Sequence, residues 1–160
     1  MTFTVSIVIG RPVEIVARAL MDPENHPYWQ TGLRKFEVIK RAPGEVGSVA
    51  RLHYSEKGRP YVLEDRMVFY EPGKRIVSQV TGEAIAAEVE TALRPSGAGT
   101  EMTIHWSGRG KILPLKIMLP LLRGKMIRQS RAELEKFKEL VETRGVHFGG
   151  QPENGPERQS

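Results

Sequence analysis

The stretch Lys111-Ile-Leu-Pro-Leu-Lys-Ile-Met-Leu-Pro-Leu-Leu-Arg-Gly-Lys-Met126 is the most apolar part of an otherwise polar chain, and it carries basic residues and no acid. A membrane span needs roughly 20 consecutive apolar residues. Lys116, Pro114 and Pro120 interrupt this run well short of that. Downstream, Leu119, Leu122, Met126, Ser130, Leu134, Phe137 and Val141 recur at spacings of three and four, which is one stripe of a long amphipathic helix. Arg131 to Glu135 and Lys138 to Glu142 lie four apart on its other side, the pattern of a solvated face. The prolines place the start of the regular helix near residue 120, after a bent lead-in, with Met118, Leu122 and Met126 turned to the core and Lys116, Arg123 and Lys125 to water.

A long helix with one apolar stripe needs a partner, and the preceding residues supply one. Phe3, Val5, Ile7 and Ile9 alternate with neighbours of the other face, the period-two signature of a strand. Pro12 opens a short helix in which Val13, Val16, Ala17 and Leu20 share a face, and Asp22-Pro23-Glu24-Asn25 begins a second helix or turn ending at Tyr28 and Trp29. Six further strands are expected at about 33–41, 47–56, 60–71, 74–81, 84–95 and 99–110, separated by Gly- and Pro-containing turns such as Glu71-Pro72-Gly73. Turns this short make an antiparallel meander. Its apolar face carries Ala50, Leu52, Tyr54, Tyr61, Leu63, Met67, Phe69, Ile85, Ala87, Val89, Leu93, Met102, Ile104 and Trp106, and its polar face carries Arg51, His53, Glu64, Arg66, Glu88, Glu90, Glu101 and Thr103. The long helix is the cover that the dry face needs. The fold class is therefore α+β.

With 160 residues the chain has room for one domain, assigned to residues 1–144. The segment 145–160, rich in Gly and Pro and without periodicity, is expected to be disordered. There is no cysteine, so disulfides and thiolate chemistry are excluded, and the first residues lack the pattern of a signal peptide. A cytoplasmic setting is the default expectation.

The net charge of +5 is unevenly spread. Seven basic residues and no acid lie between Met102 and Ala132: Arg109, Lys111, Lys116, Arg123, Lys125, Arg128 and Arg131. The rest of the chain has 17 basic residues against 19 acidic ones. No aromatics are interleaved for base stacking within this segment's helix and no recognition motif is present, so nucleic acid is not an expected partner. A transient contact of the basic lead-in with an anionic membrane is a further expectation. The oligomeric state is left open.

The wording of particular segments adds to the topology. IVIGRPVEIVARALMDPENHPYWQTGL (7–33), PGEVGSVARL (43–52), LEDRMVFYEPGKRIVSQV (63–80) and ALRPSGAGTEMTIHWSGRG (92–110) resemble the START and polyketide cyclase-like superfamily, often called SRPBCC, which includes the birch-pollen allergen. The resemblance spans about residues 3–143. It implies the helix-grip fold: a curved seven-stranded antiparallel sheet wrapped around a long C-terminal helix, with two short helices between the first two strands. It also implies a cavity between sheet and helix. On this chain, the cavity residues would be Trp29, Leu52, Tyr54, Tyr61, Leu63, Asp65, Met67, Val89, Thr91, Ile104, Trp106, Met118, Leu122, Met126 and Ser130. Their methionines suit an adaptable apolar pocket, and Ser130 puts a small hydroxyl where a packed core would hold Leu.

Chemistry-bearing motifs are few. His26, His53, His105 and His147 show no metal-ligand spacing, and Gly108-Arg109-Gly110-Lys111 lacks the spacing of a phosphate loop. There is no Gly-x-Ser-x-Gly elbow and no Rieske-type Cys/His set, and no cofactor is expected. Strand parity puts Asp65 on the dry face between Leu63 and Met67, where a carboxylate must be partnered or protonated. Two functions follow from the resemblance and these residues. One is a binder of a hydrophobic small molecule such as a lipid, isoprenoid or polyketide. The other is a cyclase or dehydratase in which Asp65 and a tyrosine transfer protons.

Overall fold

The structure is a computed structural model and describes residues 1–42 and 44–149. The elements run β1 (Thr2–Ile9), α1 (Val13–Met21), a 3-10 turn (Pro23–Asn25), α2 (His26–Trp29), β2 (Leu33–Lys40), β3 (Val49–Glu56), β4 (Arg59–Glu71), β5 (Arg75–Thr81), β6 (Ile85–Ser96), β7 (Gly99–Gly110), α3 (Leu113–Leu121) and α4 (Arg123–Arg144). All seven strands form one antiparallel sheet in the order β1-β7-β6-β5-β4-β3-β2. The first strand closes onto the last because α1 and α2 carry the chain across the dry face to the opposite edge, after which each strand turns back beside its predecessor. This is the helix-grip fold, and the seven strand positions agree with those read from the turn signals.

Two apolar clusters form on the dry face, and they do not merge. The larger packs Phe3, Val5, Ile9, Leu93 and Met102 of the sheet against Val16, Ala19 and Leu20 of α1 and Leu134, Phe137, Leu140 and Val141 of α4. The smaller joins Leu33, Ala50 and Leu52 with Phe36, Tyr54 and Leu63 on the other wing of the sheet. The C-terminal half of α4 fills the space over β1, while the wing formed by β2 to β4 curls away from it. The gap between the clusters is the cavity.

Four details depart from the sequence reading. Val68 forms a bulge between the Met67–Ser78 and Phe69–Val77 pairs, so parity flips and Phe69 stands on the outer face, with the Arg75 guanidinium 4.9 Å above its ring. The lead-in to the long helix is itself helical. Pro114 sits in the first turn of α3, where its missing amide costs nothing, and Pro120 falls two residues before the break at Leu122, so regular α4 starts at Arg123 rather than near 120.

Met118 is half exposed and points away from the core, because Leu119 takes the buried position on α3. Finally, residues 145–149 are packed rather than disordered. Phe148 is fully buried against Phe137, with ring centroids 5.7 Å apart, and Val146 is buried beside it. Two apolar side chains among glycines supply no periodicity to read, but they find room at the end of α4. The remainder of the expected tail, 150–160, lies outside the described residues.

Candidate functional site

The cavity has a volume of about 370 Å³, in the lower part of the range for small-molecule sites. Of the residues expected at it, Trp29, Leu52, Tyr54, Tyr61, Leu63, Asp65, Met67, Val89, Thr91, Ile104, Trp106, Met126 and Ser130 form its wall. Met118 and Leu122 do not. In the sequence reading both turn to the core together with Met126, but α3 ends at Leu121 with Leu122 as its cap, and on α3 it is Leu119 that takes the buried position.

Cross-strand pairing builds much of the wall. Phe3 and Trp106 face each other in the β1–β7 register and stack with centroids 5.5 Å apart. Gly108 makes this possible, since a Cβ there would overlap the indole of Trp106, two residues earlier on the same face. On the other wing, Tyr54 and Tyr61 are register partners in β3 and β4 and stack at 5.1 Å, nearly parallel.

The polar groups gather in three places. At one end, Gln30 follows α2 and its amide spans two side chains. Its Nε2 lies 2.8 Å from His26 Nδ1, and the Tyr54 hydroxyl donates to its Oε1 at 3.3 Å. With the amide so oriented, Gln30 donates to Nδ1, and the imidazole proton resides on Nε2. His26 is enclosed and stacked on Phe36, and burial holds its pKa down at about 4, so the ring is neutral near pH 7. Burial also pushes the Tyr54 hydroxyl up, with nearby acids adding to the effect.

At the rim, the Thr31 amide donates to Glu133 Oε1 at 2.9 Å and Gln129 Nε2 does so at 3.3 Å, which ties the end of α2 to α4. Burial raises the Glu133 carboxyl, the hydrogen bonds from Thr31 and Gln129 oppose this, and repulsion from Glu56 adds a little. Tyr61 donates to Glu56 Oε1 at 3.2 Å; its own hydroxyl is pushed up to about 12 by burial and by Glu56.

The third polar place is the floor, where Asp65 faces the cavity beside Ser78. Burial raises its carboxyl to about 6 against a lowering hydrogen bond from the Ser78 hydroxyl. Asp65 is thus the dry-face carboxylate that strand parity indicated. His26, Gln30, Ser78 and Glu133 were not singled out in the sequence. They lie in a short helix, its exit turn, a strand and the helix, and no spacing rule joins them; a polar residue on an otherwise apolar strand face was the available signal for Ser78.

Among the described residues the wall includes the carboxylates of Glu56, Asp65 and Glu133 but no Lys and no Arg, although the chain has 24 of these residues. Trp29 adds an indole Nε1 that is buried without a hydrogen-bond partner. Among the described residues no group of three or more His, Asp or Glu is placed to hold a metal ion, and no helix is long and apolar enough to cross a membrane.

Solved structures of the same shape are numerous. The Zhui aromatase/cyclase from Streptomyces sp. R1128 superposes with a TM-score of 0.74 at 16% identity, covering 89% of this chain and 93% of that one. A START superfamily protein from Mycobacterium smegmatis gives 0.72 at 16% identity over 88% and 98% of the two chains. Ara h 8.0201 gives 0.70 at 14% identity over 88% and 97%. At these identities the likeness is one of fold. No curated protein matches the sequence. Residues 1–142, which include every strand and nearly all of α4, match the family described as polyketide cyclase / dehydrase and lipid transport, and the chain belongs to that family.

Proposed function

We propose that this protein binds an uncharged hydrophobic small molecule, of lipid, isoprenoid or polyketide type, between the sheet and α4. The observation that carries this reading is the charge of the wall: a largely apolar cavity of about 370 Å³ whose charged side chains are all carboxylates. A fatty acid or phosphate headgroup inside it would meet Glu56, Asp65 or Glu133 with no cation to offset the repulsion, and desolvating such an anion is expensive. A neutral chain with hydroxyl or carbonyl groups meets apolar walls plus the hydroxyls of Tyr54, Ser78, Thr91 and Ser130. The family and the fold of its structural neighbours support hydrophobic-ligand binding at this place.

The test is native mass spectrometry of the purified protein followed by solvent extraction, with Nile red as a neutral fluorescent probe. The expected result is a non-covalent adduct of a neutral hydrophobic compound, and Nile red displaced by a long-chain isoprenoid alcohol but not by palmitate. Displacement by palmitate and not by the alcohol would sink the reading.

One observation favours a second reading, catalysis of the cyclase or dehydratase kind. Asp65 has a carboxyl raised to about 6, so it holds or releases a proton near neutral pH, and it faces the cavity. Asp65→Asn separates the two. Lost turnover of a polyketone with intact Nile red binding supports catalysis, and no turnover by the wild type leaves binding alone.

A further inference from the structure

From the exposed face of α3 we infer a docking surface for an anionic lipid bilayer. Nine residues, Leu113–Leu121, form a helix whose apolar side chains mostly point away from the protein. Leu113, Ile117 and Leu121 follow one another at i, i+4 and i+8, and they are 69%, 62% and 80% exposed. Met118 and Ile112 extend the ridge and are half exposed. Scattered exposed leucines need no explanation, but five large apolar residues in one ten-residue stretch form a patch of the kind that marks an interaction surface.

The helix cannot roll this ridge inward. Leu119 is buried on its opposite side, and the backbone at Leu115 and Lys116 rests on Gly110 of β7, so closely that a Cβ at Gly110 would overlap it.

Charge selects the partner. The ridge lies within the seven basic residues of the acid-free stretch between Met102 and Ala132. Arg109, Lys116, Arg123, Lys125, Arg128 and Arg131 are exposed, and among the described residues none has a carboxylate within ion-pair distance. This is not the habit of the helix as a whole. One or two turns further on, Lys136 and Lys138 pair with Glu139 and Glu142 at 3.6 and 3.2 Å. Apolar side chains at the crest, with Lys116 on the same helix and further exposed cations without carboxylate partners in the adjoining stretch, match an interface in which the crest enters the acyl boundary and the cations meet anionic headgroups. A soluble protein partner would have to supply an apolar groove rimmed with acids; a bilayer containing anionic lipid presents both features without a specific fold.

The position also has a use. Lys111 at the head of α3 is hydrogen-bonded to the β5–β6 turn, by its amide to Ala84 and by its Nζ to Gly82 at 2.9 Å. The strands leaving that turn place Val80 and Ile85 in the cavity wall. The docking face therefore abuts one end of the cavity.

Co-sedimentation with phosphatidylcholine vesicles, with and without phosphatidylglycerol, tests this without any ligand, so its outcome is independent of the function proposed above. The full chain is expected to bind the anionic vesicles, to bind pure phosphatidylcholine at least about tenfold more weakly, and to lose affinity as salt is raised. The variants Ile117→Ser/Leu121→Ser and Lys116→Glu/Lys125→Glu alter only exposed side chains, and each is expected to weaken binding about tenfold or more while the circular dichroism spectrum stays unchanged. Failure of the wild type to sediment with anionic vesicles overturns the inference. So does unchanged binding by the Ile117→Ser/Leu121→Ser variant. A concentration-dependent dimer in analytical ultracentrifugation that this variant abolishes would assign the ridge to a second copy instead, and overturns it too.

Discussion

The backbone amide of Phe148 donates a 3.0 Å hydrogen bond to Oδ1 of Asn25, a residue 123 positions earlier in the chain. The other end of the same amide group donates to the carbonyls of Ala19 and Val146, at 2.9 and 2.7 Å. Asn25 is buried, so three hydrogen bonds made without competition from water tie α1, the 3-10 turn and the segment Val146–Phe148 together.

Replacing Asn25 by Ala leaves the Phe148 amide without its acceptor and the two carbonyls without a donor. The expected cost is about 2–4 kcal/mol of unfolding free energy, measured by urea denaturation. A loss under about 0.5 kcal/mol would mean that the packing of Val146–Phe148 does not depend on this residue.

Phe137 is the side chain on which two other rings converge, Trp29 at 5.0 Å and Phe148 at 5.7 Å, both edge-on. Phe137→Ala is expected to destabilise by about 3–5 kcal/mol, because rigid aromatic neighbours cannot collapse into the space. Phe137→Leu keeps most of the volume and should cost less than half as much in the same denaturation series.

Asp65 and His26 pull stability in opposite directions over one pH window. The Asp65 carboxyl is raised to about 6, so the folded state keeps its proton longer than the unfolded chain does, and stability from this group is lost as pH climbs from about 4 to 6. His26 is lowered to about 4, so the unfolded chain takes up a proton first, and stability from this group is lost as pH falls from about 6.5 to 4. In the wild type the two slopes largely cancel. Against the wild type, Asp65→Asn should gain stability as pH rises through this window, on the order of 2–3 kcal/mol by pH 7. His26→Gln should show the reverse trend, losing its disadvantage toward low pH. Parallel pH profiles for all three proteins would show that neither group is perturbed.

Ser130 sits on α4 in the cavity wall between Met126 and Glu133. Ser130→Trp projects an indole into the cavity rather than into packed side chains, so the fold should persist with a Tm within a few degrees of the wild type while Nile red binding falls at least about tenfold. Retained binding in a folded Ser130→Trp protein would move the site elsewhere.

The periodicities that the chain displays were sufficient for its architecture. Alternation in Phe3-Thr4-Val5 and its later counterparts marks strands because side chains along a strand point to opposite faces. The spacing from Leu134 to Val141 marks a helix because 3.6 residues complete a turn, and the glycine and proline turns fix an antiparallel order. Parity along β4 was enough to put Asp65 on the dry face, since no bulge lies between Leu63 and Met67.

What local pattern could not fix is whatever depends on residues distant in sequence. The bulge at Val68 turns Phe69 outward, and only pairing with β5 shows it. Phe148 is buried because α4 ends beside Asn25, and Met118 is exposed because Gly110 and Leu119 set the roll of α3. The pocket that unites His26, Gln30 and Tyr54 with Asp65 and Glu133 exists because two apolar clusters on one curved sheet fail to meet. Sequence composition gave the chain its apolar side chains and its uneven charge; the curvature of the sheet decided that part of that apolar surface lines a cavity instead of packing against itself.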